Sequence, residues 1–228
     1  MIALLCAVVI CVVFHVSSAA FVADRLKIQV REVSIGLGPV LARFGRLTLR
    51  PFLFGGSVRF KDSEVECLDP DDMHDAFDAQ PLAARLAVGT SGCIALVLVA
   101  VATLRLDGLR AFASGFVQIV GGAFSPLGDA QELLTQVHLA GTTLPFASLL
   151  GLTAAKFAAL NLLPSPATNG GFLIRTAFQR TRIFGLWPPR MTTLCVVAYL
   201  GLLLSWLCTL LVYLTQSGAI DLHMLTGK

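Results

Sequence analysis

Four apolar runs decide what this chain can become. Met1 to Val22, Leu86 to Leu104, Gly141 to Leu163 and Thr192 to Leu214 each approach the roughly 20 residues a helix needs to cross the hydrocarbon of a bilayer. With their flanks they predict helices over residues 1–22, 82–104, 141–163 and 191–215 of a single membrane core, 1–228. Hydrophobic residues make up 56% of the chain and charged residues 14%, a balance that soluble domains rarely reach, so lipid is the solvent for much of it. The first run closes on Ser-Ser-Ala-Ala, small residues of the kind found at signal cleavage sites. It lacks a basic leading segment and is long for a signal, so a retained span is expected.

Charge gives the expected orientation. Arg25, Lys27, Arg31, Arg43, Arg46, Arg50, Arg59, Lys61 and Arg85 lie between the first and second runs, and Arg175, Arg180, Arg182 and Arg190 between the third and fourth. Only Arg105, Arg110 and Lys228 lie on the other side. Basic residues concentrate in cytoplasmic loops, which puts both termini outside. A net charge of +3 gives no reason to expect nucleic acid. Cys6, Cys11, Cys93, Cys195 and Cys208 fall in the apolar runs and Cys67 in a polar loop, a distribution that offers neither a disulfide framework nor a CxxC knuckle.

After the first run, Leu26, Ile28 and Val30 alternate with polar residues, and Val33, Ile35 and Leu37 resume one residue out of phase. That pattern predicts short strands with a bulge near Arg31 and Glu32. A second extended piece, "LRPFLFGGSVRF", carries Gly55-Gly56 as a hairpin turn or a bulge, giving a membrane-proximal β region over 26–61. Asp62 to Asp78 is acidic. Its "DPDDMHD" lacks the glycine and closing glutamate of a calcium loop and reads as a solvated face. Pro126 to His138 is expected as a short helix on the outer interface, with Leu127, Leu133, Leu134 and Val137 on one face. The fold class is therefore an all-α polytopic membrane protein of about four transmembrane helices with a small β region after the first.

The third run ends in "NLLPSPATNGG", Asn161 to Gly171, which resembles the NLLPxPxLDGG segment of the site-2 proteases, intramembrane zinc metalloproteases whose first span carries HExxH. "HVSSA", His15 to Ala19, stands where that HExxH would be. "VSIGLGPVL", "RPFLFGGSVRF", "MHDAFDAQPLAARLAVGTSGC" and "FSPLGDAQELL" resemble further stretches of the same core in the same order, without a PDZ insertion. The resemblance implies a bacterial cytoplasmic membrane as the expected location and an active site toward its cytoplasmic half.

The resemblance also shows what is gone. A catalytic zinc site needs three protein ligands and a carboxylate base, and in HExxH the two histidines sit one helical turn apart. His15 matches the first ligand, Val16 replaces the base, Ala19 the second ligand and Asn169 the Asp of the LDG triplet. Cys93 and Leu96 replace the Pro and Asn of a GPxxN in the second span. No zinc and no other cofactor is expected.

Lys156 is a charge inside a span, where charges are expensive and normally serve a purpose. It matches a position where the family often has Asn. We expect its ammonium either in the former metal region, contacting Asn161, Asn169 or a backbone carbonyl, or snorkelling to an interface. His15, Val16, Ala19, Lys156, Asn161 and Asn169 are thus the vestigial active-site positions.

The family's β region is implied to receive an extended substrate by strand addition, which here falls to Phe52, Leu53, Phe54, Gly55, Gly56, Ser57 and Val58. The expected function is that of a pseudoprotease that binds other membrane proteins or their transmembrane segments, or serves as a subunit of a membrane complex. Small residues Ala87, Gly89, Ser91, Gly92, Ala154, Ala155, Ala158 and Ala159 suit either a partner helix or the bundle's own packing, the second need coming first. The alternatives are a zinc protease with substitute ligands such as His74 or His138, and a small transporter around Lys156. The lack of inverted repeats speaks against the latter.

Overall fold

The computed structural model describes residues 2–63, 65–166, 168–178 and 189–217; Glu64, Arg180, Arg182 and Lys228 lie outside them. Helix α1 (Ile2–Arg25) leads into β1 (Val30–Leu37), β2 (Ala42–Phe44), β3 (Leu47–Leu49) and β4 (Phe52–Phe60), and a 3-10 turn spans Pro70–Asp75. Then come α2 (Leu82–Leu104), α3 (Leu106–Phe124), α4 (Asp129–Thr143), α5 (Phe146–Asn161), α6 (Asn169–Phe178) and α7 (Pro189–Gln216). Among the described residues, three helices are long and apolar enough to cross a membrane: Ile2–Arg25, Leu82–Leu104 and Thr192–Gln216. The fourth apolar helix, α5, has only 16 residues. The expected third span began at Gly141, but Pro145 has no N–H to offer and divides the run, leaving Gly141 to Thr143 at the end of α4.

The four strands form one sheet in the order β2-β3-β1-β4, with β1 parallel to β3 and antiparallel to β4. The expected bulge is present: pairing shifts between Val30 and Glu32, where the alternation of apolar residues changes phase. Gly55-Gly56 makes no turn. It lies inside the continuous strand β4, at a second irregularity where Ile35 pairs with Gly56 but Leu37 with Phe52. Ala23, Ile28, Val30, Phe77 and Val88 form the buried cluster that joins sheet, α1 and α2.

The acidic segment after β4 has a structural task. Lys61 is 4% exposed and its ammonium sits 2.7 Å from a carboxylate oxygen of Asp75. Arg31 binds Glu66 at 2.7 Å, and Asp78 accepts from the backbone N–H of Ser63 at 3.0 Å.

The short helix expected over Pro126 to His138 is present as α4, and a second helix that was not expected, α3, precedes it and makes a helical hairpin with it. Asp107, Arg110 and Gln118 dilute the apolar character of α3, but Gly108, Gly115 and Gly122 recur every seven residues, two helical turns, and are its buried positions. Each permits a close crossing. A Cβ at Gly108 would lie 2.5 Å from the carbonyl oxygen of Ala100 in α2, one at Gly115 2.8 Å from Cβ of Ala159 in α5, and one at Gly122 2.5 Å from the Trp206 ring of α7. α3 therefore descends along α2 and α5, and α4 returns to bring Gly141 beside Leu4 of α1. The hairpin leaves α5 entering beside the end of α2, where Gly151 faces Thr103.

Candidate functional site

His15, Val16 and Ala19 lie on the inward face of α1, residues 15 and 19 one turn apart. His15 is 8% exposed. α2 reaches it because residue 92 is glycine: a Cβ there would lie 2.6 Å from Nδ1 of His15 and 2.7 Å from its carbonyl oxygen. The ring stands edge-on to Phe157 of α5, with centroids 6.1 Å apart, and Nδ1 is buried with no hydrogen-bond partner among the described residues. The backbone of Gly92 and the side chain of Asn169 are the polar groups within reach of the imidazole.

Asn169 opens α6, and its side-chain amide donates to the carbonyl oxygen of Gly89 at 2.8 Å. Val16 is buried against β4: a Cβ at Gly56 would meet its Cγ1 at 2.8 Å, so the absence of a side chain at 56 is what lets strand and helix touch. His15, Val16, Ala19, Gly56, Ser57, Val58 and Asn169 all line one cleft of about 800 Å³, with Gly89 and Phe172. Along it runs β4, the last strand of the sheet. No strand among the described residues pairs with its outer edge.

The profile of peptidase family M50, the site-2 proteases, matches residues 3–206. The chain belongs to that family. It is also similar to two curated proteins of Arabidopsis thaliana, the probable membrane metalloprotease ARASP2, chloroplastic, 31% identical, and the membrane metalloprotease ARASP, chloroplastic, 33% identical. Each match runs over 97 residues, 41% of this chain and 22% of the relative, so the chain spans about a fifth of the length of the proteins it matches.

As a member of the M50 family the chain would be expected to hold zinc in this cleft, and its residues do not fit the ion. A closed or catalytic zinc site draws on imidazole, thiolate or carboxylate donors. Here the donors of these kinds that line the cleft are His15, Asp62 and Glu66, with Glu66 bound to Arg31; at the positions of the family's ligands it offers His15 beside the methyl groups of Val16 and Ala19 and an amide already engaged with Gly89. Among the described residues no three His, Cys, Asp or Glu side chains come together. The substitutes named for an alternative site lie elsewhere. His74 is in the 3-10 turn with Nδ1 3.1 Å from the carbonyl oxygen of Asp71, and His138 is on α4 facing Tyr213.

Two expected site residues do not join the cleft. The Asn161 amide turns back to donate to the carbonyl oxygen of Phe157 at 2.8 Å, within its own helix. Lys156 does reach a backbone carbonyl, but on the opposite face of α5: its ammonium donates to the Ala111 carbonyl at 2.8 Å and to Ser114 Oγ at 2.9 Å, both mid-way along α3. It does not line the cleft. The helix that receives it was not expected, and the signal that could have revealed it is the seven-residue spacing of Gly108, Gly115 and Gly122. Most of the small residues named for helix approach serve the bundle itself: Ala154, Ala155, Ala158 and Ala159 are fully buried, Gly89 meets Phe172 and Gly92 meets His15, whereas Ala87 is exposed and with Ser91 lines a groove between α1 and α2.

Proposed function

We propose that this chain is a pseudoprotease of the M50 family, a membrane protein that binds extended or transmembrane segments of other membrane proteins along β4 without cleaving them. The observation that carries the reading is the convergence of the unpaired β4 edge on the cleft where His15, Val16, Ala19 and Asn169 stand. Main-chain groups of an unpaired edge supply affinity to any extended segment that adds a strand, whatever its sequence. Val16 can neither bind zinc nor take a proton from water, so a segment held against it meets no general base at that position. On this reading the basic loops face the cytoplasm, both termini lie outside, and the membrane is a bacterial cytoplasmic one.

The test is a photoreactive residue at Ser57, exposed on β4, in the full chain in its native membrane. Capture of single-span proteins that stay uncleaved, with zinc below one equivalent in the purified chain, is the expected result. A fixed set of stoichiometric partners cross-linked elsewhere would turn the reading toward a structural subunit. Tightly bound zinc in one equivalent would sink the pseudoprotease reading.

A further inference from the structure

A second cavity, of about 630 Å³, lies between α3, α4, α5 and α7, on the other side of α5 from the cleft. Its walls are mainly aliphatic, with Leu133, Val137, Leu152, Leu203 and Trp206 among them, and Lys156 lines it. That volume falls within the roughly 300–1,000 Å³ of small-molecule sites, which combine apolar walls with a few placed polar groups.

The ammonium is the part that calls for a ligand. It has three N–H donors, and the Ala111 carbonyl and Ser114 Oγ take two of them. Both acceptors are neutral, and no carboxylate among the described residues lies within ion-pair distance of Lys156. A charge within a helix bundle is normally held by a counter-charge or by backbone carbonyls and marks a functional site, and Lys156 has the carbonyl without the counter-charge. One free donor and one positive charge above aliphatic walls match a ligand with one negative charge on an apolar tail.

We propose that this cavity binds a single-chain fatty carboxylate, its head on the Lys156 ammonium and its tail between α4, α5 and α7. The single charge of Lys156 matches the single charge of a carboxylate on one tail, and the amides of Gln118 and Gln136, which also line the cavity, can donate to its second oxygen.

The experiment uses the full chain in mild detergent and a diazirine derivative of palmitate, with the labelled residues located by mass spectrometry. Labelling of α4, α5 or α7 around the cavity is expected, suppressed by palmitate but not by hexadecanol or by phosphatidylglycerol. Lys156→Gln, which keeps a donor but removes the charge, is expected to reduce labelling by about tenfold or more, the range of a charged hydrogen bond. Equal suppression by hexadecanol would mean the cavity selects only an apolar tail. Equal suppression by phosphatidylglycerol would mean a lipid site. Recovery of Lys156 joined by carbodiimide to an acid of another protein would mean a helix-helix contact. Each of these overturns the proposal, as does labelling unaffected by Lys156→Gln. The competition uses the unaltered chain, so it decides the matter even if the variant does not fold.

Discussion

The amide of Asn169 donates to the carbonyl oxygen of Gly89 at 2.8 Å, fastening the start of α6 to α2. The family's Asp at this position points its carboxylate at a metal, and a carboxylate cannot donate to a carbonyl. Asn169 therefore has a packing role that the Asp could not fill. Asn169→Asp is expected to destabilise the chain by about 1–3 kcal/mol, because it loses a bond and leaves two acceptors facing each other. Thermal unfolding in detergent checks this; an unchanged midpoint would remove the proposed fastening.

Two glycines of α3, Gly121 and Gly108, should respond in opposite directions. Gly122 is packed against Trp206, whereas a Cβ at Gly121 would meet nothing within 4 Å. Gly121→Ala is expected to stabilise by about 0.5–1 kcal/mol through helix propensity. At Gly108 the obstacle is the Ala100 backbone, which cannot rotate away, and Gly108→Ala is expected to destabilise by about 1–3 kcal/mol. Equal effects at the two positions would mean that α3 does not cross α2 as described.

The parts of this fold that sequence made legible share a physical cause. Spans were visible because lipid demands long apolar runs, and the bulge at Val30 to Glu32 because one buried face enforces a period of two. The hairpin of α3 and α4 was hidden because glycine at close crossings contributes almost nothing to hydropathy, while Asp107 and Arg110 pair with each other at 2.8 Å and look like a loop in a one-dimensional reading. Lys156 was recognised as unusual, but its direction depended on a helix not yet seen. In the cleft, residue identities at 15, 16, 19 and 169 were enough to read the lost ligands. The amide's bond to Gly89 joins residues 80 apart, a separation that no local sequence pattern encodes.

The loop between β4 and α2 should loosen in acid. The Lys61 ammonium at 2.7 Å holds the Asp75 carboxyl below its usual range. A carboxyl with a depressed folded pKa contributes stability above its unfolded value, about 3.9, and loses it as pH falls through the folded value. Protection of residues 62–78 from hydrogen exchange, taken relative to the intrinsic rate at each pH, is expected to fall on acidification below about pH 4, and Asp75→Asn to lower it already at neutral pH and remove that step. A step that survives in Asp75→Asn would assign it to another group.

Because His15, Val16, Ala19 and Asn169 share one cleft, the lost site can be rebuilt as a test of its geometry. Ala19→His places an imidazole one turn from His15, and Asn169→Asp adds the third ligand. Alone, Asn169→Asp is expected to destabilise. Combined with Ala19→His it should become zinc-dependent, because metal bound only by the folded chain stabilises it by mass action. The expected pattern is an unfolding midpoint that rises with added zinc and collapses with chelator in the double variant, with no zinc response in the unaltered chain. Adding Val16→Glu would then supply the missing base, into a position now buried against Gly56. That third change is expected to give slow cleavage of a cross-linked segment only if β4 moves aside to admit the longer side chain. A double variant that ignores zinc would mean that α6 has moved too far from α1 for the three positions to meet on one ion.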